Sequence, residues 1–277
     1  MELKGSVALV LGSIKGIGKG IALALANAGV KVVLNYFDWA EELETLKKDF
    51  KDTGQKHLIL RTNLLKTSAI PRMIEKAVER FGRLNILINN IERGGWPAVH
   101  GPYDQQQWDL EMETTLRAKR WVFDAALPHL KAAGNSVLIN FSSIAGIVGR
   151  SGPAGLIFND GYAAANRAIS LLTETWARMG APEVRVNEIM LGFFKTRHAE
   201  KTRGWEVLSK RQKKAILDHT LLNRTSTIED VVKAVLYVIK DAPFMTGSVI
   251  RLDGGYVIGG EAVGEIPKGI LQTSQKG

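Results

Sequence analysis

Short β-branched, apolar runs alternate with longer helical segments from one end of the chain to the other. The runs at 7–11, 31–36, 58–61, 85–89, 136–141, 184–190 and 248–252 read as strands. Several are apolar throughout instead of alternating, as strands buried on both faces of a parallel sheet must be. Helical patterning fills the intervals at roughly 17–28, 41–52, 71–81, 106–132, 162–179 and 228–240. Gly29 is placed to stop the first of these helices, and Ser226 with Glu229 has the spacing of a capping box for the last. Strand–helix repetition of this kind predicts right-handed crossovers. The expected fold is α/β: a doubly wound parallel sheet of about seven strands with helices on both faces. No linker or low-complexity tract interrupts the 277 residues, so a single domain over 1–277 is expected.

Composition narrows the function. The chain has no cysteine, which excludes a disulfide framework, thiolate metal sites and a cysteine nucleophile, and fits a cytoplasmic location. The start of the chain shows no signal-peptide pattern, and no run approaches the ~18 apolar residues of a membrane span. The five histidines lack metal-ligand spacing, so no metal is expected. Basic residues outnumber acidic ones 37 to 28, a net charge of +9. Bulk charge alone does not distinguish nucleic acid, membrane or an acidic substrate as the partner.

The motif with chemistry in it follows the first strand. Gly12, Ser13, Lys15, Gly16, Ile17 and Gly18 form a glycine-rich turn that opens the first helix. Such a turn brings backbone close to a pyrophosphate and aims free N–H groups at it. Further motifs lie downstream: Asn63-Leu64 after the third strand, Asn89-Asn90 after the fourth, and Ser143 in Asn140-Phe141-Ser142-Ser143. Tyr162 then opens Tyr162-Ala163-Ala164-Ala165-Asn166, followed by Val184-Arg185-Val186-Asn187, Gly192 with Thr196, and Asp253-Gly254-Gly255. In order and spacing this set resembles the short-chain dehydrogenase/reductase family from about residue 3 to 260, which implies a Rossmann-type sheet and a nicotinamide cofactor.

The resemblance places Gly12, Ser13, Lys15, Gly16, Ile17, Gly18, Tyr36, Asn63, Leu64, Asn90, Ile91, Glu92, Tyr162, Asn166, Gly192, Phe194 and Thr196 around that cofactor. Tyr36 stands where an acidic residue would hold the ribose hydroxyls of NAD, and Lys15 adds a cation in the loop, so NADP(H) is expected over NAD(H). Asp38, two residues further on, is the feature that points the other way. Catalysis is expected at Ser143 and Tyr162, with Asn166 and Thr115 completing the four family positions. In the family a tyrosine exchanges a proton while hydride moves to or from the carbon, and a serine holds the substrate oxygen. A lysine four residues after the tyrosine lowers its pKa and holds the nicotinamide ribose, and an asparagine on the preceding helix supports a water. Here the lysine position is Asn166 and the asparagine position is Thr115.

Loss of that charge costs about 1.4 kcal/mol for each pKa unit of lost activation, so a phenolate-requiring oxidation slows about a hundred- to thousandfold. Carbonyl reduction needs the neutral phenol, so reduction is the favoured direction. Arg150, Arg93 and Arg167 each read first as surface or loop-stabilising residues; the sharper hypothesis is that Arg150 or Arg93 supplies part of the missing cation, whereas Arg167 points about 100° around the helix from Asn166. Glu92, which replaces the motif's glycine, is placed either to bind a ribose hydroxyl or to obstruct the pocket.

Two functions follow: an NADP(H)-dependent oxidoreductase reducing a carbonyl, or a cofactor-binding pseudoenzyme or regulatory protein with a decayed reaction centre. No nucleic-acid motif and no membrane segment is present, so neither partner is expected. Between Lys195 and Lys214 eight basic side chains meet only Glu200 and Glu206, a surplus of six out of the +9. In the resembled family this segment, about 195–220, is a lid over the substrate. A basic lid suits an anionic substrate, such as a carboxylate, a phosphate or a thioester, although a solvated helix face accounts for the same stripe. A tail is expected at about 261–277. The family's habit of packing helices across subunits implies a homotetramer or homodimer.

Overall fold

The computed structural model describes residues 1–92, 104–194, 205, 208–267 and 269. Its strands are β1 (Val7–Val10), β2 (Lys31–Tyr36), β3 (His57–Arg61), β4 (Ile86–Asn89), β5 (Ser136–Ser143), β6 (Val184–Leu191) and β7 (Val249–Leu252). They form one parallel sheet in the order β3-β2-β1-β4-β5-β6-β7. The strand order reverses between β1 and β4, where Ala8 pairs with Ile86. In an open parallel sheet a reversal of this kind leaves a crevice beyond the carboxyl ends of the strands.

The helices are α1 (Gly16–Asn27), α2 (Leu43–Asp52), α3 (Ile70–Phe81), α4 (Gln105–Glu111), α5 (Ala118–Ala133), α6 (Ala145–Val148), α7 (Asp160–Gly180), α8 (Lys210–His219) and α9 (Ile228–Leu236). They cover both faces of the sheet. Ala8 and Val10 of β1 pack with Ile21 and Leu25 of α1, Phe50 of α2 and Val231 and Val235 of α9. Leu9 points the other way, among Ile74 of α3, Val122 and Phe123 of α5 and Trp176 of α7. This two-sided burial is the reason the strands read as continuous apolar runs. Among the described residues no helix is long and apolar enough to cross a membrane.

Three local details differ from the sequence reading. The segment at 106–132 is broken by a π-helical turn, Met112–Arg117, that carries Thr115. A π-turn widens the hydrogen-bond ladder by one residue and is frequent at functional sites. The capping box of α9 sits one residue later than expected: Thr227 caps the helix and Asp230 returns the bond. Ser226, expected as the cap, instead donates to Asp230 Oδ2 at 2.8 Å. Finally, β5 runs on to Ser143 and β6 to Leu191, which carries Ser143 out to the edge of the crevice.

Candidate active site

The glycine turn is held from both flanks. Leu11 N–H donates to Ile88 O at 3.0 Å, and the Asn90 amide donates to Leu11 O at 3.4 Å. Gly12 has φ +62°, and a Cβ there would stand 2.5 Å from Asn90 O. A side chain on Gly18 would run into the Gly12 carbonyl. The turn is therefore a cradle that only glycine leaves open. Among the described residues no side chain caps the start of α1, so its first N–H groups are placed to meet an anion.

A cleft opens from this turn along the carboxyl edge of the sheet. It is lined by Gly12, Lys15, Gly16, Ile17, Gly18, Tyr36, Asn63, Leu64, Asn90, Ile91 and Glu92, so eleven of the residues expected around a cofactor stand in one place. Asp38, Trp39, Thr114 and Phe141 also line it. The Lys15 ammonium lies over the Trp39 ring, 2.9 Å from its centroid. Thr114 Oγ1 is buried and has no hydrogen-bond partner among the described residues. The cradle, the uncapped helix start and this orphan hydroxyl fit a bound dinucleotide.

Other expected contacts fall elsewhere. Ser13 is fully buried and its hydroxyl donates to Asn35 O at 3.1 Å, so its side chain braces the turn against β2 and does not face the cleft. Phe194 is buried in the core, where its backbone bridges to Ser226. Gly192 stands beside the cleft-lining Leu191 and gives close passage to Asp253, whose Cα would lie 2.7 Å from a Cβ. Thr196 and Arg93 lie outside the described residues, as does the lid segment over 195–204.

Behind the wall of the cleft formed by Glu92 and Ser142, β5 and α7 bring Ser143 and Tyr162 together, neither of them among the residues that line it. Asn159 caps α7 by accepting from Tyr162 N–H at 2.8 Å, and Glu111 in turn accepts from the Asn159 amide at 2.6 Å. Gly146 permits the close crossing of α6 on α7, where a Cβ would meet Arg167 N at 2.8 Å. The Tyr162 hydroxyl lies 3.1 Å from both carboxylate oxygens of Glu92 and donates to them. Burial pushes the Tyr162 pKa well above its usual value, and the charge of Glu92 pushes the same way. A hydrogen bond from Ser143 opposes the shift. The phenol therefore keeps its proton at neutral pH. Glu92, left open between two roles by the sequence, both lines the cleft and holds Tyr162.

Asn166 does not line the cleft. It is fully buried: its Oδ1 accepts from Ser143 N–H at 2.9 Å and its amide donates to Tyr162 O at 2.9 Å. A short amide with both ends engaged inside the fold positions Ser143 and has no reach into the cleft. Thr115 is fully buried, and its hydroxyl also has no hydrogen-bond partner among the described residues. Arg150 does not bring a cation to the tyrosine: it is exposed and lies 3.8 Å from Asp160. Arg167 is exposed as well.

Sequence reasoning misses Lys119, one turn beyond Thr115. It is fully buried and donates to Phe141 O. Burial lowers its pKa to about 8, while Glu92 and Glu188 pull it up. Glu188, on β6, is also fully buried and accepts from Ser142 and, at 3.0 Å, from Ser170. A signal is there to be found, because a lysine at 119 interrupts the apolar stripe of Ala118, Val122, Phe123 and Ala126.

A doubly wound sheet with a glycine cradle at its reversal point and a serine–tyrosine pair behind the cleft wall defines a dinucleotide-binding oxidoreductase. The family model described as enoyl-(acyl carrier protein) reductase matches residues 12–257. The chain belongs to the short-chain dehydrogenase/reductase family. It is 29% identical over 262 residues to the 3-oxoacyl-[acyl-carrier-protein] reductase FabG of Thermotoga maritima, covering 93% of this chain and 100% of the relative. The FabG of Staphylococcus aureus is 29% identical over 252 residues, covering 90% and 96%. The crystal structure of a "putative short-chain alcohol dehydrogenase" from Sinorhizobium meliloti superposes with a TM-score of 0.82 at 26% identity, covering 93% of this chain and 98% of that one.

Proposed function

We propose that the protein is an NADPH-dependent reductase of a carbonyl carried on an anionic substrate, with a 3-oxoacyl thioester as the leading class. The observation that carries this reading is the Tyr162 hydroxyl, kept protonated beside Ser143 behind the cleft wall. The FabG relatives, 3-oxoacyl-[acyl-carrier-protein] reductases by name, support the substrate class. When bound, the cofactor supplies the hydride. Gly12, Gly16 and Gly18 would admit the pyrophosphate to the start of α1, and Asn63 and Leu64 would hold the adenine. Tyr36 in place of an acid, with Lys15 at the mouth, favours the extra phosphate of NADP(H). Asn90 and Ile91 line the approach to the reaction centre. Ser143 holds the carbonyl oxygen and Tyr162 gives it a proton.

The described part of the basic lid includes α8, whose Ile216 packs in one cluster with Tyr162, Phe193 and Tyr256. This contact supports a lid over the substrate end. The exposed Trp121 of α5 and Leu171 of α7 support helix packing between subunits in a homodimer or homotetramer.

The test is a fluorescence titration with NADPH and with NADH, followed by turnover of acetoacetyl-coenzyme A at rising salt. Tighter NADPH binding and a rate that falls with salt are expected. NADPH binding with no turnover of any carbonyl in a screen overturns the reading in favour of a cofactor-binding pseudoenzyme, which the occupation of the Tyr162 hydroxyl by Glu92 also suits.

A further inference from the structure

Lysine is strongly hydrated and almost never fully buried without a partner. Lys119 is fully buried, and its ammonium donates to the neutral carbonyl of Phe141, two residues before Ser143 on β5. Lys119 lies in the first turn of α5, directly after the π-turn that carries Thr115. Its neighbours Ala118 and Phe141 line the cleft together with Glu92. The charged groups acting on it are Glu92, after β4, and Glu188, on β6. Glu188 also feels Arg167 from α7, and its carboxylate is already served by Ser142 and Ser170. Glu92 is the acid that touches Tyr162.

Carbonyl reduction changes the charge at Tyr162. As the carbonyl carbon takes the hydride, the Tyr162 O–H bond breaks and its proton passes to the carbonyl oxygen, leaving a phenolate that solvent later reprotonates. That phenolate stands beside the Glu92 carboxylate, and two anions in a buried site repel strongly. A cation held at Phe141, on the same cleft as Glu92 and attracted by its charge, offsets one of them. We infer that Lys119, reaching in from α5 and acting through Glu92, supplies the active-site cation that a chain with asparagine at position 166 lacks. The inference rests on the reductase reading above and assigns Lys119 as a positioning residue, not one that touches substrate.

The experiment has a cofactor-free arm and a turnover arm. In the protein without cofactor, NMR of lysine labelled with 13C at Cε follows the Lys119 titration, expected near pH 8. Glu92→Gln must move that titration to lower pH, and a Lys119 signal that E92Q leaves in place overturns the inference. With NADPH and acetoacetyl-coenzyme A, the wild-type rate falls above about pH 8 as Lys119 loses its proton. Lys119→Met lowers kcat about a hundredfold and removes that limb of the profile, a loss matching two pKa units at the tyrosine. Lys119→Arg retains the rate and shifts the limb upward, and it stands in should K119M not fold. An unchanged kcat and profile in K119M overturns the inference. If the wild type reduces nothing, the reductase reading fails, and the cofactor-free titration still decides whether Lys119 answers to Glu92.

Discussion

A phenol buried against a carboxylate holds its proton, and on the reductase reading that makes Tyr162 an acid. Removing the carboxylate reverses one of the two main causes: Glu92→Gln lowers the Tyr162 pKa, which ultraviolet titration of the phenolate reads directly, and alcohol oxidation at high pH gains relative to reduction. Lys119 makes a second prediction, on stability. Its folded pKa of about 8 lies below the unfolded 10.5. Below pH 8 both states carry the charge, and the cost of burying it is fully present. Between the two values the unfolded chain binds more protons, so stability climbs with pH by on the order of 3 kcal/mol. Chemical denaturation from pH 7 to 11 shows this rise in the wild type and its loss in Lys119→Met, which unfolds no more easily than wild type at pH 7. A lysine kept only for stability gives the opposite ranking.

At the scale of elements, the helix ends and crossings carry the testable content. Thr227 and Asp230 cap α9 reciprocally, and backbone and side-chain hydrogen bonds from Thr227 and Ser226 hold the Asp230 carboxyl down to about 2. Since the folded pKa lies below the ordinary 3.8, this contribution is complete above pH 4 and disappears as pH falls toward 2. Thr227→Ala costs about 1 kcal/mol in urea unfolding at neutral pH. Gly146→Ala acts on catalysis instead: a Cβ at the α6–α7 crossing pushes on the Asn166–Arg167 backbone and misaligns Ser143 against Tyr162, so kcat falls while NADPH affinity holds. The strands and most helices are legible because a sheet buried on both faces writes itself as apolar runs. The π-turn at Met112–Arg117 is not, since its period differs from an α-helix by one residue inside an otherwise continuous pattern. The cap of α9 falls one residue from its expected place because Ser226 and Thr227 are both good caps, and it is the Thr227 hydroxyl that accepts from Asp230 N–H.

Over the whole molecule, the sequence locates the glycine cradle, the serine and the tyrosine, because each belongs to a short motif at a fixed place on a strand–helix joint. It does not locate the partners those residues find across the fold. Glu92 and Tyr162 are 70 residues apart and meet only because β4 and α7 converge at the carboxyl edge of the sheet. Arg150, one of the two arginines weighed as the missing cation, lies near Tyr162 along the chain yet stands exposed 3.8 Å from Asp160, whereas the lysine that is buried, Lys119, belongs to another helix. Cofactor choice also belongs to this scale, because Tyr36, Lys15 and Asp38 converge from β1 and β2 at one end of the cleft. Lys15→Ala weakens NADPH binding at least about tenfold and NADH binding little, since a lost cation–phosphate contact is charge-assisted.

Carbonyl reduction with Tyr162 as the acid is tested most directly by following the reacting atoms themselves: transfer of deuterium from C4-labelled NADPH to acetoacetyl-coenzyme A, by wild type and by Tyr162→Phe. Wild type is predicted to place the label on the carbinol carbon, and Y162F to slow that transfer about a hundredfold or more with NADPH affinity unchanged, as expected for a lost general acid. Equal transfer rates in the two proteins, or NADPH bound with no transfer by the wild type, would contradict it.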